Sequence, residues 1–463
     1  MIASPFDTVA AVSTPYGKGG VAVIRLSGEA ALAVASRVFH PLGGKILTDC
    51  PPRTAVYGLV RDPEDSRVLD DALCTIFRAP HSFTGEDTAE IACHGGVLVT
   101  RNVLEACLRA GARQALPGEF TRRAYLNGKL DLERAEALGN LLDAGNDEQV
   151  KLARAGMNGL LTTSAEEVYR ELMAVLANME AGMDFPEEDL TEMPPEEIRT
   201  EIDRAMTTLR GLVDTYRTGH AIAEGVPTVI CGRPNVGKSA FYNRLVGREA
   251  AIVTSIAGTT RDVLTDTVSL GRVTLRLSDT AGLRESDDPV EMIGVERARK
   301  ALEEAELALV LSDPAETDGG EADALAHTLL EQGKAVVRIY TKQDLREGAN
   351  PPSAVREGME MINISSVTGE GFDSLREAVE RIFIDRELRM GEEAVVFSAR
   401  QSAALRETLA YLAAAAENLD AGLPYDICAD DVRAAMSELG SLCGREMGED
   451  VLTEIFSRFC VGK

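Results

Sequence analysis

The sequence has no apolar run long enough to span a bilayer; its longest stretches, such as 409–416, are far too short. Residues 1–12 lack a basic segment leading into an apolar core, so no secretory signal is expected and the expected location is cytoplasmic, with no membrane partner. None of the eight cysteines (Cys50, Cys74, Cys93, Cys107, Cys231, Cys428, Cys443 and Cys460) forms a CxxC pair, which favours reduced thiols over disulfides or zinc. A basic excess is missing too. The net charge is −27, yet residues 1–125 hold 13 basic and 13 acidic side chains, so the whole excess falls on the remaining 338 residues. Such a chain is not a broad non-specific binder of nucleic acid, although a structured RNA held by a local basic patch stays possible. What is present is an ordinary globular composition, 45% hydrophobic and 27% charged, over a length that suits two to four domains.

The pattern of apolar residues divides the chain. Residues 1–120 mix strands, at 21–26 and 88–93, with helices, at 30–39 and 97–110, and read as an α/β domain. From 121 to 220 apolar residues recur at helical spacing through 130–142, 150–161 and 168–179, with a further helix over 195–216. Between 221 and 385 strands (226–231, 273–278, 307–311, 335–340 and 361–364) alternate with helices, the order of a parallel-sheet domain. Helical patterns return at 399–419 and 430–459, within 386–463. The expected fold class is multidomain α/β plus all-α: an N-terminal α/β domain, then a helical domain interrupted by an inserted P-loop domain, with the helices on either side of the insertion packed together.

Residues 232–239, GRPNVGKS, satisfy GxxxxGK[ST] in full, after an apolar strand and at the opening of a helix. Glycines let such a loop curl its amides toward phosphates, and the helix N-terminus adds positive dipole. Lys238 would reach the β- and γ-phosphates, and the Ser239 hydroxyl would ligate Mg²⁺. Downstream, Thr260 in GTTRD would complete the Mg²⁺ shell, Asp279 in DTAG would stand behind it, and the Gly282 amide would meet the γ-phosphate. Asp344 in TKQD can accept the N1–H and N2–H pair that guanine offers and adenine does not, and Ser365, Ser366 and Val367 follow the last strand within reach of the base. The motifs give as expected GTP contacts Asn235, Val236, Gly237, Lys238, Ser239, Ala240, Gly258, Thr259, Thr260, Asp279, Thr280, Ala281, Gly282, Thr341, Lys342, Asp344, Ser365, Ser366 and Val367. Two departures stand out. Thr341 occupies the place of the usual asparagine in the guanine motif, which is expected to lower guanine affinity while Asp344 keeps specificity. Leu283 follows DTAG where a Ras-like switch carries a water-orienting glutamine, so water must be positioned from elsewhere, with Glu285, Asp287, Asp288 and Glu291 as nearby carboxylates.

Taken together, the sequence resembles the MnmE (TrmE) family of tRNA-modification GTPases along essentially its whole length. The resemblance rests on PYGKGGVAVIRLSG at 15–28, SFTGED at 82–87, PGEFTRRAYLNGKLD at 117–131, the P-loop at 232–239, 256–262, DTAGLR at 279–284 and the ending FCVGK at 459–463. The resemblance implies a Ras-like G domain that dimerises across a potassium ion held by Asn235, Thr254, Ile256 and Thr259, the ion serving in place of an arginine finger. It adds Thr254, Ser255, Ile256 and Ala257 to the expected GTP contacts. It implies that Glu291 orients the attacking water beside Lys238, and that Cys460 is needed for modification. It also implies a folate-binding first domain that supports the homodimer, with Arg25, Glu86, Lys129 and Lys463 contacting 5-formyltetrahydrofolate or a related folate. The family pattern ends Cys-Ile-Gly-Lys, and Val461 is a mild change from it.

Read from the residues alone, other roles stay open. Arg25 is as well explained as an edge-strand arginine, Glu86 as the cap of a turn, Cys460 as an idle thiol and His94 as a turn or structural histidine, and the carboxylates after Leu283 as solvated loop charges. The resemblance implies a GTP-hydrolysing enzyme that works with the flavoprotein MnmG (GidA), in a heterotetramer or larger complex, to add an aminomethyl or carboxymethylaminomethyl group to C5 of the wobble uridine (U34) of certain tRNAs. The alternatives are a regulatory GTPase switch in ribosome assembly that binds RNA without base chemistry, and a folate-binding protein that its G domain regulates.

Overall fold

The computed structural model describes residues 7–184, 193–249, 266–278, 300–313, 320–345, 359–385, 388–389, 391–445, 449–457, 459 and 461–462. Two compact units emerge, Met1–Gly139 with Gly440–Lys463, and Asn140–Leu439.

In the first unit the chain runs β1 (Val9–Val12), β2 (Val21–Ser27), α1 (Ala31–Val38), β3 (Phe39–Pro41), β4 (Ala55–Arg61), β5 (Val68–Phe77), β6 (Thr88–His94), α2 (Val97–Arg109), β7 (Arg113–Gln114) and α3 (Glu119–Leu126). The strands form one sheet in the order β3-β4-β5-β6-β2-β1-β7, antiparallel except between β1 and β7. Alternation decides which face is covered. Ala22, Ile24 and Leu26 of β2 and Ile91 of β6 are buried with Val103, Ala106 and Cys107 of α2 and Val34 and Ala35 of α1. The expected strands and helices of this region are present, but β2 is no edge strand: it lies between β1 and β6, with Val9 opposite Ser27 and Val21 opposite His94.

Helix α4 (Leu132–Asp143) leads into the second unit, which begins with α5 (Asp147–Met157), α6 (Leu160–Asp184), α7 (Pro195–Asp214) and α8 (Tyr216–Ala223). Asn146 caps α5 by accepting from the Gln149 amide, and Pro195 opens α7 where no backbone donor is required. The single helix expected over 150–161 is instead two, because Gly159 takes a φ of 71° between α5 and α6. The six-stranded sheet follows: β8 (Val226–Cys231), α9 (Lys238–Glu249), β9 (Asp266–Leu270), β10 (Val273–Leu277), β11 (Leu307–Ser312), α10 (Glu321–Glu331), β12 (Ala335–Tyr340), β13 (Met359–Asn363) and α11 (Phe372–Phe383). Its order is β13-β12-β11-β8-β10-β9, parallel except for the β9–β10 hairpin. All six residues of β11 are buried, as a central parallel strand with both faces covered requires.

Then come α12 (Ala399–Asp420) and α13 (Tyr425–Leu442). A capping box starts α12: Ser398 accepts from the Gln401 amide while the Gln401 side chain accepts from the Ser398 amide. Helix α12 packs against α7, which precedes the six-stranded sheet in the chain. Arg199 bonds Asp420 at 3.3 Å, and Arg433 of α13 bonds Glu180 of α6 at 2.8 Å. The tip of the β9–β10 hairpin is tied to α5, with Arg272 Nε 3.2 Å from Glu148 and Asn146 donating to Ser269 Oγ at 2.9 Å.

Residues after Gly440 return to the first unit. The helix expected over 430–459 ends at Leu442, turns at Gly444 (φ 78°), and resumes as α14 (Glu449–Ser457). Leu452 and Phe456 of α14 pack on Leu132 and Ala135, and the Tyr125 hydroxyl donates to Gly444 O at 2.6 Å. The seven described cysteines are free, and burial pushes the Cys107 thiol up to about 12. Among the described residues no helix is long and apolar enough to cross a membrane.

Candidate functional site

Strand β8 ends at Cys231 and α9 begins at Lys238, so the intervening loop hangs at the carboxyl end of a central parallel strand. Ligands of open α/β sheets bind at that end. The loop is anchored from beneath. Val236 is 2% exposed, and one turn into α9 the buried Phe241 stacks on Phe372 of α11 with ring centroids 5.5 Å apart. Lys238 Nζ donates to Gly232 O at 2.8 Å and Arg233 O at 2.6 Å, which holds the ammonium over the mouth of the loop. Burial pulls the Lys238 pKa below the ordinary lysine value. Asn235 is exposed with a φ of 65°, and Gly237 joins it to α9; Ser239 and Ala240 lie exposed in the first turn. The hydroxyl of Ser239 and the amide of Asn235 make no hydrogen bond among the described residues, so both are available to a cation. A hydroxyl beside the lysine at a helix N-terminus suits Mg²⁺, a hard oxygen-seeking ion.

The guanine motif follows β12. Its first residue proves more important than its identity suggested. Thr341 is 2% exposed, and its hydroxyl donates to Val236 O at 2.6 Å, with Ser312 O at 3.2 Å as a second acceptor. One hydroxyl thus joins the phosphate loop to the base motif across 105 residues of chain. Lys342, at a φ of 60°, pairs with the buried Asp313 at 2.8 Å. Asp344 Oδ1 accepts from Ser365 Oγ at 2.6 Å, which sets the plane of its carboxylate, and Ser365 is fully buried. Ser366 is half-buried and Val367 is 75% exposed. Asp313 and the Ser365–Asp344 bond were not legible from spacing; only the fold brings the ends of β11, β12 and β13 together.

Replacing Thr341 by valine leaves the buried Val236 carbonyl without a donor, a loss worth about 1–3 kcal/mol. Titration with a fluorescent guanine nucleotide is expected to show binding weakened about tenfold in Thr341→Val and near normal in Thr341→Ser. Equal affinity in all three proteins would remove the hydroxyl from the account of the site.

Thr254, Ser255, Ile256, Ala257, Gly258, Thr259, Thr260, Asp279, Thr280, Ala281, Gly282, Glu291, Cys460 and Lys463 lie outside the described residues.

In the first unit a cavity of about 470 Å³ is lined by Glu29, Ala79, Glu86, Asp87, Arg123 and Asn127 among others. Glu86 is no simple turn cap. It accepts from Ser27 Oγ at 2.7 Å and from Arg123 Nη1 at 3.0 and 3.1 Å. Arg123, 5% exposed along its side chain, is held in turn by Glu119 at 2.9 Å and by Asp7 O at 2.8 Å. Burial works against the charge on Glu119, but bonds from Arg113, the Leu116 amide and Arg123 outweigh it and lower the Glu119 pKa. Arg25 is a central-strand residue 2.8 Å from Glu90, its guanidinium near the rings of Phe83 and Phe120 at 5.5 and 5.6 Å. Lys129 Nζ donates to Pro80 O at 3.0 Å. Arg25, Glu86 and Lys129 therefore all attend the 79–87 loop, though only Glu86 lines the cavity.

The chain end is fixed beside this unit. Val461 bridges Pro117, Ser13 Oγ donates to Gly462 O at 3.0 Å, and a Cβ on Gly462 would stand 2.1 Å from Val12 O, which demands glycine. His94 has the structural role open to it: its amide and Nδ1 each meet an Asp70 carboxylate oxygen at 2.8 Å, raising the ring pKa. Asp71 adds a third candidate ligand atom within 4.8 Å, so two adjacent aspartates meet a histidine 24 residues from Asp70.

The model of the MnmE helical domain matches residues 132–460, and that of the GTP-binding protein TrmE N-terminus matches residues 8–129. The tRNA modification GTPase MnmE of Symbiobacterium thermophilum is 44% identical over 460 residues, covering 99% of each chain. Those of Moorella thermoacetica and Heliobacterium modesticaldum are 41% identical over 463 and 465 residues, again covering 99% of both chains. The G domain of the T. maritima FeoB iron transporter is 26% identical over 33% of this chain and 96% of its own, with a TM-score of 0.25. Matches to the first group run from end to end, through both units, and on that ground the chain belongs to the MnmE (TrmE) family of tRNA modification GTPases.

Proposed function

We propose that this GTPase binds and hydrolyses Mg²⁺-bound GTP at 232–239 and couples hydrolysis to modification of tRNA. With a flavoprotein partner, MnmG, in a heterotetramer or larger complex, it would add an aminomethyl or carboxymethylaminomethyl group to C5 of the wobble uridine of certain tRNAs in the cytoplasm. The observation that carries the nucleotide reading is the Thr341–Val236 hydrogen bond, because it makes the phosphate loop and the guanine motif one preorganised site. Lys238 binds the β- and γ-phosphates and Asp344 reads the base. Ser239 and Thr260 hold Mg²⁺. Asn235, Thr254, Ile256 and Thr259 hold potassium, whose charge offsets that developing on the phosphates as G domains of a homodimer meet. Glu291 orients the attacking water.

The 79–87 loop supports a folate reading for the first unit. Glu86 of the loop and Arg25 of β2 present charge to a polar ligand, Lys129 donates to Pro80 O of the same loop, and Val461 and Gly462 pair with Pro117 and Ser13 of this unit. A reduced folate would supply a one-carbon unit there. Wobble-uridine nucleosides in tRNA from a strain lacking this protein test the reading. The C5-modified forms are expected to disappear; a full complement would instead favour a regulatory GTPase that binds RNA without base chemistry.

A further inference from the structure

A second cavity in the first unit, of about 400 Å³, involves none of the residues discussed above for nucleotide or folate. Thr14, Tyr16, Lys18, Val97 and Thr100 line it, together with glycines of the 17–20 loop. Lys18 is its one charged residue, and no carboxylate lines it. The loop is strapped to the start of α2, since Gly19 N donates to Gly95 O at 2.9 Å and Gly95 N to Gly20 O at 3.3 Å. Helix α2 has thirteen residues and no side-chain cap at Gly96. Its first turn closes with the Thr100 amide on Gly96 O, and the amides of Val97, Leu98 and Val99 have no acceptor among the described residues.

Two hydroxyls add to these donors. Thr100 is 5% exposed, and its hydroxyl has no hydrogen-bond partner among the described residues. Thr100 lines the cavity, so this hydroxyl is available to a ligand there. Thr14 Oγ1 accepts from Val23 N at 3.3 Å, which leaves its proton free to donate. Ammonium, helix amides and hydroxyls with no facing acid make a cavity rich in donors, and its chemical complement is an oxyanion. Its surroundings agree, because residues 1–125 carry no net charge in a chain of −27.

We propose that this cavity binds a phosphate group, separately from the P-loop. Lys18 supplies the charge, the start of α2 the directed amides, and Thr100 a hydroxyl donor. The phosphate is either a backbone phosphodiester of RNA or a free phosphate, which share this chemistry.

The chain lacks tryptophan, and Tyr16, 72% exposed, lines the cavity, so Tyr16→Trp places a single reporter there. The full-length variant, saturated with GDP to occupy the P-loop, is titrated with inorganic phosphate at constant ionic strength against chloride. A saturable change in tryptophan fluorescence is expected with phosphate alone. Adding Lys18→Ala is expected to weaken it about tenfold, the loss of a charge-assisted contact. Thr100→Val is expected to weaken it several-fold with the thermal melt and GDP affinity unchanged. A right-shift of the phosphate curve by tRNA identifies a backbone phosphodiester as the occupant; no shift identifies free phosphate. A phosphate response equal to that of chloride, or one that Lys18→Ala leaves intact, overturns the proposal.

Discussion

Glu291→Ala is expected to lower GTP turnover by about 100- to 1,000-fold while GTP affinity stays within about twofold of normal. The reason begins with Leu283. A hydrocarbon side chain after the DTAG segment can neither accept nor donate a hydrogen bond, so the Ras-like route to an aligned water is closed. In the proposed site binding rests on other groups: Lys238 over the loop, Thr341 beneath it and Asp344 at the base motif. A residue that acts only on the attacking water should change turnover and spare binding. Single-turnover hydrolysis with a parallel nucleotide titration separates the two. Normal turnover in Glu291→Ala would move the role to Glu285, Asp287 or Asp288.

Exchange of potassium for sodium at constant ionic strength is expected to slow hydrolysis by about 100-fold. Charge builds on the phosphate oxygens in the transition state, and Lys238 is the loop cation held over its mouth, whereas Arg233 pairs with Glu321. Asn235 stands exposed on that loop at a φ of 65°, a strained backbone of the kind retained at functional positions. A site sized for potassium replaces the hydration shell of smaller sodium poorly. Asn235→Ala should therefore bring the potassium rate down to the sodium rate. Equal rates in the two salts for the unaltered protein would remove the monovalent ion from the mechanism.

Contiguity explains what could be read from the sequence. The P-loop is eight consecutive residues between a strand and a helix, and the central strand β11 is a short apolar run buried on both faces. Helix ends were harder, because apolar spacing carries on across the turns at Gly159 and Gly444 and only the backbone reveals the break. Strands β4 and β5 went unread: Gly58 interrupts one, and Asp70 and Asp71 interrupt the other. Partnerships over long separations were invisible. Thr341 looked like a weakened asparagine until Val236 lay beneath it, and Arg25 looked like an edge residue until β1 and β6 flanked it. Glu86 and Arg123, 37 residues apart, meet only because β2 and α3 converge on the 79–87 loop.

The central claim is that GTP turnover at the P-loop drives tRNA modification. It is tested most directly by complementing a strain that lacks the protein with either the natural chain or Lys238→Ala and measuring the wobble-uridine nucleosides. The natural chain should restore the C5-modified forms, and Lys238→Ala, present at equal abundance, should leave them absent. Restoration by Lys238→Ala would contradict the account.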